Sequence, residues 1–166
     1  MSSQKQKILG IDPGTARMGY GIITEEGGKT ELIEFGVLTT EAGQDEHLRL
    51  GELYSGLEKL IQKHAPHAIV VEDIFYAKNQ KTIIKVSQAR GIALLAAARA
   101  RTPFYSFTPL QIKQAVTGWG GAQKPQVQEM VRLLLGLAVT PRPDDAADAL
   151  AAAICCASSR KILDKL

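Results

Sequence analysis

Short apolar runs alternate along the chain with longer stretches in which apolar residues recur every three or four positions. The runs over residues 8–12, 19–24 and 31–39 are separated by turn residues, and they predict three strands that pair antiparallel. Helical spacing follows over residues 45–64 and ends before Pro66. Residues 68–71 form an apolar run typical of a buried strand. The first half of the chain is therefore predicted to be βββαβ.

The second half is predominantly helical in pattern. An alanine-rich periodic stretch predicts a helix over residues 82–99, and residues 104–107 fit a fifth short strand. Three further helices are predicted, over residues 109–116, 125–137 and 144–160, and a mobile glycine-rich loop over residues 118–121 separates the first two. The complete order, βββαβαβααα, predicts an α/β fold with a mixed sheet. No repeat or linker interrupts it, so residues 1–166 are expected to form one domain.

The composition excludes several classes of protein. With 45% hydrophobic and 22% charged residues, the chain is expected to be globular and not disordered. No apolar run reaches the ~18 residues of a membrane helix, and the polar start lacks a signal-peptide pattern, so we expect a cytoplasmic protein. The two cysteines, Cys155 and Cys156, are neighbours on a predicted helix and cannot readily bridge; buried reduced thiols are expected.

The net charge is only +3, but the charges are unevenly distributed. Residues 74–128 contain eight lysines or arginines and no acidic residue, and six aromatic residues lie among them. Such a stretch favours a surface that faces a polyanion, and nucleic acid is the preferred interpretation. The alternative is that these cations only solvate the exposed faces of several helices.

Three acidic residues lie in apolar surroundings. Asp12 and Glu72 each end a predicted strand, and Asp148 lies among alanines. Carboxylates at strand ends meet at the edge of the sheet where α/β proteins build their sites. On a helix, Asp145 and Asp144 are three and four residues from Asp148, so either could share its face, and both also suit the start of a helix. The spacing does not choose between them.

If these carboxylates converge, their like charges repel one another at a substantial cost. Bound divalent cations would relieve that repulsion, and an all-oxygen ligand set points to Mg²⁺ or Mn²⁺. Two such ions about 3.5–4 Å apart can orient an attacking water and stabilise the leaving oxygen in phosphodiester hydrolysis. An acidic metal pocket inside a basic surface therefore predicts a nuclease.

Four short motifs occur in a characteristic order, over residues 8–14, 71–75, 88–91 and 145–150. With them the chain resembles the RuvC family of bacterial crossover (Holliday) junction endodeoxyribonucleases, from about residue 8 to residue 156. The resemblance implies a ribonuclease H-like fold with a five-stranded mixed sheet and helices on both faces. It also implies a homodimer that makes paired, symmetric, Mg²⁺-dependent nicks in four-way DNA junctions during recombination and repair.

The resemblance also implies roles for single acidic residues. Asp12, Glu72, Asp145 and Asp148 match the family's catalytic, metal-binding carboxylates, which implies two Mg²⁺ per active site with Mn²⁺ as a substitute. The additional acid Asp144 departs from the commonest family pattern, and we expect Asp145 to be the primary helix ligand.

The basic and aromatic positions are carried over in the same way. Phe75 matches an aromatic residue that the family uses near unpaired bases at the crossover, and Lys78 and Lys81 lie beside it as further expected DNA contacts. Lys113 and Lys124 match basic positions near the scissile phosphate and the substrate strand. The family implies a branch-migration helicase complex, of the RuvA and RuvB type, as protein partner.

Several residues keep more than one interpretation. Phe75 could also be an ordinary core residue. Trp119, among three glycines, fits a DNA contact and a cover for the core equally well. His47, His64 and His67 lie away from the carboxylates in sequence and are expected at the surface.

Three other functions compete. Residues 11–15 also resemble the phosphate-binding turn of actin-like ATPases and sugar kinases, but those proteins need two such domains and 166 residues provide one. A YqgF-like RNA-processing nuclease would share the fold, and the acid-free stretch and the Asp145/Asp148 pair argue against it. A non-enzymatic junction-binding module would have no need of Asp148 in an apolar helix, and Mg²⁺-dependent cleavage would distinguish it.

Overall fold

The strands and helices follow the predicted order. A computed structural model describes residues 5–73 and 80–163, with side chains described as far as residue 159. The strands are β1 (Gln6–Asp12), β2 (Arg17–Glu26), β3 (Lys29–Thr39), β4 (Ala68–Glu72) and β5 (Phe104–Phe107). The helices are α1 (Glu46–His64), α2 (Gln80–Arg99), α3 (Pro109–Thr117), α4 (Lys124–Leu134) and α5 (Asp144–Leu163).

The strands form one mixed sheet in the order β3-β2-β1-β4-β5. β1 pairs antiparallel with β2, which pairs antiparallel with β3, whereas β1, β4 and β5 run parallel. The central strands β1 and β4 are continuous apolar runs because helices cover both of their faces. This arrangement confirms the predicted five-stranded mixed sheet.

Helices lie on both faces of the sheet, and alternate residues of one strand enter different cores. Ile8 of β1 and Val70 of β4 pack with α3, α4 and α5, whereas Leu9 and Ile69 pack with α1 and α2. The alternation follows from the two-residue period of a strand. Within the described ranges, none of the helices combines the length and the hydropathy that crossing a bilayer would require.

Helix α5 approaches the sheet unusually closely. A Cβ atom on Gly10 would overlap the carbonyl oxygen of Ala149, and one on Gly19 would overlap the carbonyl oxygen of Asp145. The side of α5 that meets the strands carries alanines, all of them buried. Small residues on both surfaces therefore let the first turns of α5 lie directly on β1 and β2. Cys155 and Cys156 are buried free thiols in the same helix, as predicted.

Two expectations need correction. Helix α4 ends at Leu134 and not at Leu137, because Gly136 adopts a left-handed conformation with φ of 63° that terminates the helix. His64 is not a surface residue: its side chain is buried, and Nε2 lies 3.0 Å from Oε2 of Glu34. His67 is exposed as expected, and its Nδ1 accepts a hydrogen bond from the backbone N–H of Lys7.

Candidate active site

The candidate site lies at the carboxyl ends of the two central parallel strands. Asp12 is the last residue of β1 and Glu72 the last residue of β4, and the preceding residues Ile11 and Val71 are paired in register. Parallel strands that end at the same level present their last side chains at one edge of the sheet. Both carboxylates therefore lie at the same edge, as the sequence predicts.

The close approach of α5 brings the helix acids to that edge. Gly19 of β2 pairs with Asp12, and the backbone of Asp145 lies against Gly19. Asp148 follows one turn later on the same side of the helix and borders a cavity of about 380 Å³ together with Glu72. Glycine at position 19 is thus what allows Asp145 to reach the neighbourhood of Asp12.

The electrostatics show that the four carboxylates interact. Burial, followed by the negative charges of Asp148, Asp145 and Glu72, raises the pKa of Asp12 to about 8. Burial and the charge of Asp148 also raise the pKa of Glu72. Burial raises the pKa of Asp148 as well, against the opposing effect of Lys124. Ionised carboxylates at this edge therefore destabilise one another.

Lys124 supplies the nearest compensating charge. It begins α4, where Gln126 accepts a hydrogen bond from the backbone N–H of Gln123 at 2.7 Å. Its Nζ lies 2.9 Å from Oδ2 of Asp148 and 3.6 Å from Oδ2 of Asp144. Burial works against its charge, but the hydrogen bond and the surrounding acids outweigh that effect and raise the pKa of Lys124.

Lys113 is the second cation of the site. It lies on α3, lines the same cavity as Lys124 and Glu72, and its charge opposes the rise in the pKa of Glu72. Helix α3 is fixed at its start by reciprocal hydrogen bonds between Thr108 and Gln111. The cavity is therefore lined by two carboxylates, Glu72 and Asp148, and by two ammonium groups, of Lys113 and Lys124.

The structure separates the two adjacent helix acids. The charge of Asp145 contributes to the raised pKa of Asp12, and its Oδ2 lies 3.4 Å from Nε of Arg17. Asp144 instead faces Lys124 and lies 2.6 Å from Nη1 of Arg142. Of the two, Asp145 is the one whose charge acts on Asp12.

Two arginines at this edge were missed by the sequence analysis. Arg17 and Arg142 line a second, more open cavity with Asp144 and Asp145, beside the one already described. Both lie outside the acid-free stretch 74–128, so charge distribution did not single them out. The position of Arg17, five residues after Asp12 across a turn, was the available signal.

A third arginine holds the end of β4. Nη2 of Arg90 donates a hydrogen bond to Oγ of Ser106 at 2.8 Å and one to Oδ1 of Asp73 at 3.4 Å. Its guanidinium lies over the ring of Phe104, 5.9 Å from the centroid. Arg90, in the third sequence motif, thus fixes the residue that follows Glu72.

The predicted DNA contacts are only partly described. Phe75 and Lys78 lie outside the described residues, whereas Lys81 is exposed on the first turn of α2. Trp119 is 60% exposed on the segment between α3 and α4, so it does not cover the core.

The donor set fits hard divalent cations. Among the described side chains, no three acids, histidines or cysteines are already arranged as a metal site. The carboxylates nevertheless offer only oxygen, and burial together with their mutual repulsion has raised the pKa of Asp12 to about 8. A divalent cation would favour their ionised forms, and oxygen is the donor that Mg²⁺ and Mn²⁺ prefer.

Comparisons with known proteins agree with these features. The family model for crossover junction endodeoxyribonuclease RuvC matches residues 8–156. The enzyme of that name from Rubrobacter xylanophilus is 52% identical over 161 residues, which cover 97% of this chain and 90% of the relative. The one from Chloroflexus aurantiacus is 54% identical, over 96% of this chain and 97% of the relative.

A solved structure extends the likeness to the fold. Thermus thermophilus RuvC in complex with a Holliday junction substrate superposes with a TM-score of 0.91 at 35% identity, covering 95% of this chain and 96% of that one. The fold is thus the ribonuclease H-like fold that the sequence motifs imply. With the match over residues 8–156 and identities above 50%, the chain belongs to the RuvC family of crossover junction endodeoxyribonucleases.

Proposed function

We propose that this protein is a structure-selective endonuclease that resolves four-way DNA junctions by paired, symmetric nicks in recombination and repair. Family membership supports the substrate, since the related Thermus thermophilus structure contains a Holliday junction. The observation that carries the chemistry is the convergence of Asp12, Glu72, Asp145 and Asp148. Burial first, and then the charges of the other three carboxylates, raise the pKa of Asp12 to about 8. A protein that only bound DNA would gain nothing from this repulsion.

We assign the four carboxylates as ligands of divalent cations, Mg²⁺ in the cell with Mn²⁺ as a substitute. When bound, two such ions supply an activated water and stabilisation of the leaving oxygen. Asp12 and Glu72 hold them from the ends of β1 and β4, and Asp145 from the first turn of α5. Asp148, one turn later on α5, holds or orients one of the two ions.

The basic residues of the cavity act on the DNA. The charges of Lys124 and Lys113 both act on Glu72, and both residues line the cavity that a phosphodiester would enter, so they would offset negative charge that develops there. Lys124 now pairs with Asp148 at 2.9 Å, and it would be available to a phosphate if Asp148 held a divalent cation instead. Phe75, Lys78 and Lys81 remain proposed contacts of the crossover strands.

A homodimer is the proposed assembly, because paired nicks need two sites related by symmetry. Helix α2 offers a stripe of exposed apolar and small residues along one side, with Ile84 58% exposed, Leu95 49% exposed and Gly91 open to solvent. A second copy of the chain could pack there, as the missing Cβ of Gly91 permits close approach. The stripe is the expected interface.

Sedimentation velocity tests this interface. Leu95→Glu is expected to convert a dimer into a monomer that makes single unpaired nicks, while Leu133→Glu, on the exposed end of α4, leaves the dimer intact. A Leu95→Glu protein that sediments as a dimer would contradict the assignment.

We further propose that residues 1–166 are one domain acting in the cytoplasm, beside a RuvA- and RuvB-type helicase complex.

Cleavage of labelled DNA tests the function directly. Incubation with a four-way junction and Mg²⁺ is expected to yield two symmetric nicks, and a linear duplex of the same sequence should remain intact. Omission of divalent cation and the Asp12→Asn substitution should each abolish cleavage but leave junction binding. Equal cleavage of linear and branched DNA, or undiminished cleavage by Asp12→Asn, would contradict the proposal.

A further inference from the structure

The only tryptophan of the chain lies on a hydrogen-bonded turn beside the candidate active site. Trp119 lies between α3 and α4, in a stretch that the sequence predicts to be mobile. Its backbone N–H donates a hydrogen bond to Oγ1 of Thr117 at 3.1 Å, and its carbonyl accepts one from Ala122 at 3.2 Å. Gln114 also donates to the carbonyl of Gly118 at 2.8 Å. The turn is therefore a built, hydrogen-bonded structure.

The indole ring is supported on one side and open on the other. A Cβ atom on Gly121 would collide with the ring, so the indole lies against the backbone at that residue. The side chain as a whole is still 60% exposed. Pro125 and Met130 continue the surface into an apolar groove of about 470 Å³. An exposed flat ring beside an apolar groove has the shape and chemistry that accept a nucleobase.

The groove lies close to the cavity at the carboxylates, because neighbouring residues of the chain line the two depressions. Gln123 and Lys124 line that cavity, and the next residues, Pro125 and Gln126, line the groove. The two depressions therefore lie on either side of the first turn of α4. A strand whose phosphate reached Lys124 would carry its neighbouring bases past Trp119.

The charges around the groove favour DNA as its occupant. The acid-free stretch 74–128 includes the whole turn, and Lys113 and Lys124 lie on the adjoining cavity. Among the described residues that line the groove, Glu129 is the one acid, and Arg132 binds both of its carboxylate oxygens, at 2.6 and 2.9 Å. A polyanion reaching the groove thus meets no exposed uncompensated carboxylate there.

We propose that Trp119 and its groove form a nucleobase-binding subsite, in which a base next to the cleaved phosphate stacks on the indole. This rests on the proposed function, since it assumes that DNA enters the cavity. The subsite positions the strand by stacking and by apolar contact, which accept any base. It would hold the scissile phosphate in register while Lys113 and Lys124 bind its charge.

The intrinsic fluorescence of Trp119 gives a direct test, because no other tryptophan contributes. The full-length protein is titrated with a four-way junction in EDTA, where no cleavage takes place, and binding is followed in parallel by anisotropy of labelled DNA. Emission is expected to be quenched as the junction binds. Abasic nucleotides placed singly around the cleavage point should restore the emission at one position without abolishing binding.

Variants add a second readout. Stacking of one base predicts that Trp119→Ala weakens junction binding about tenfold, whereas Trp119→Phe keeps it within about threefold. Leu133→Ala, another exposed apolar residue at the far end of α4, should bind like the wild-type protein. Agreement of quenching, abasic recovery and the Ala/Phe difference supports the subsite.

Two outcomes would overturn it. Unchanged emission at saturating junction would show that no base reaches the indole. Unchanged DNA affinity in Trp119→Ala would also show that no base stacks on the indole. It would leave a protein partner as the occupant of the groove. Failure of the proposed function is separate, because it appears as wild-type protein that binds junctions and does not nick them.

Discussion

Removal of the Asp12 charge should stabilise the protein in the absence of metal. The folded chain raises the pKa of Asp12 from 3.8 to about 8, through burial first and then through Asp148, Asp145 and Glu72. The unfolded chain ionises this group at lower pH than the folded chain does. The folded state therefore loses stability as the pH rises from about 4 to about 8, and the loss is complete above the folded pKa.

The magnitude follows from the shift. At about 1.4 kcal/mol per pKa unit, the rise in the pKa of Asp12 from 3.8 to about 8 corresponds to about 6 kcal/mol once Asp12 is fully ionised. Between pH 5 and pH 8 this one group lowers the free energy of unfolding by about 4 kcal/mol. Asp12→Asn removes the charge and keeps the shape, so it should recover at least about 2 kcal/mol at pH 8 after the neighbouring carboxylates readjust.

Urea denaturation in EDTA at pH 5 and pH 8 measures the effect. The wild-type protein should lose stability between the two pH values, and Asp12→Asn should lose clearly less. Glu41→Gln, which removes an exposed acid with the same change in net charge, serves as the control and should follow the wild-type protein. Mg²⁺ should then stabilise the wild-type protein far more than Asp12→Asn. Parallel pH dependence of wild-type and Asp12→Asn would refute the reasoning.

Three further predictions concern the same edge of the sheet. The charge of Lys124 lowers the pKa of Asp12. In Lys124→Met the cleavage rate should therefore begin to rise at a higher pH than in the wild-type protein. An unchanged dependence of the cleavage rate on pH would contradict this prediction. Gly19→Ala would force a Cβ into the carbonyl of Asp145 and should destabilise the fold by about 3 kcal/mol. As a control, Gly51→Ala, in open space on α1, should stabilise the fold by about 0.5–1 kcal/mol. The midpoints of urea denaturation measure both effects, and equal midpoints for the two variants would contradict the prediction. Mg²⁺ binding at pH 7 should release protons, because cations favour the ionised carboxylates, and calorimetric heats that do not vary with the buffer would contradict it.

Local pattern was sufficient for the elements that place the candidate site. The apolar runs of β1 and β4 each end in an acid, and both runs are strands that stop at that acid. Pairing of Ile11 with Val71 then puts the two acids at one edge. The sequence predicts this convergence because the strands are local features and parallel pairing fixes the rest.

Two kinds of signal were missed: the left-handed Gly136 that ends α4, and contacts between residues far apart in the chain. Leu137 packs into the core beyond the end of α4, so the apolar period continues where the helix has stopped. His64 is buried, and the residue that lies beside its ring, Glu34, is thirty residues earlier in the chain. Arg17 reaches Asp145 only after α5 has docked on β2. Periodicity along the chain contains no information on such pairs.

Anomalous diffraction from crystals soaked in Mn²⁺ tests the central claim most directly. Anomalous density is expected between the carboxylates of Asp12, Glu72 and Asp145, with Asp148 beside it, and this density should be lost in Asp12→Asn. Manganese bound elsewhere on the protein, or density at this edge that persists without the Asp12 carboxylate, would contradict the account.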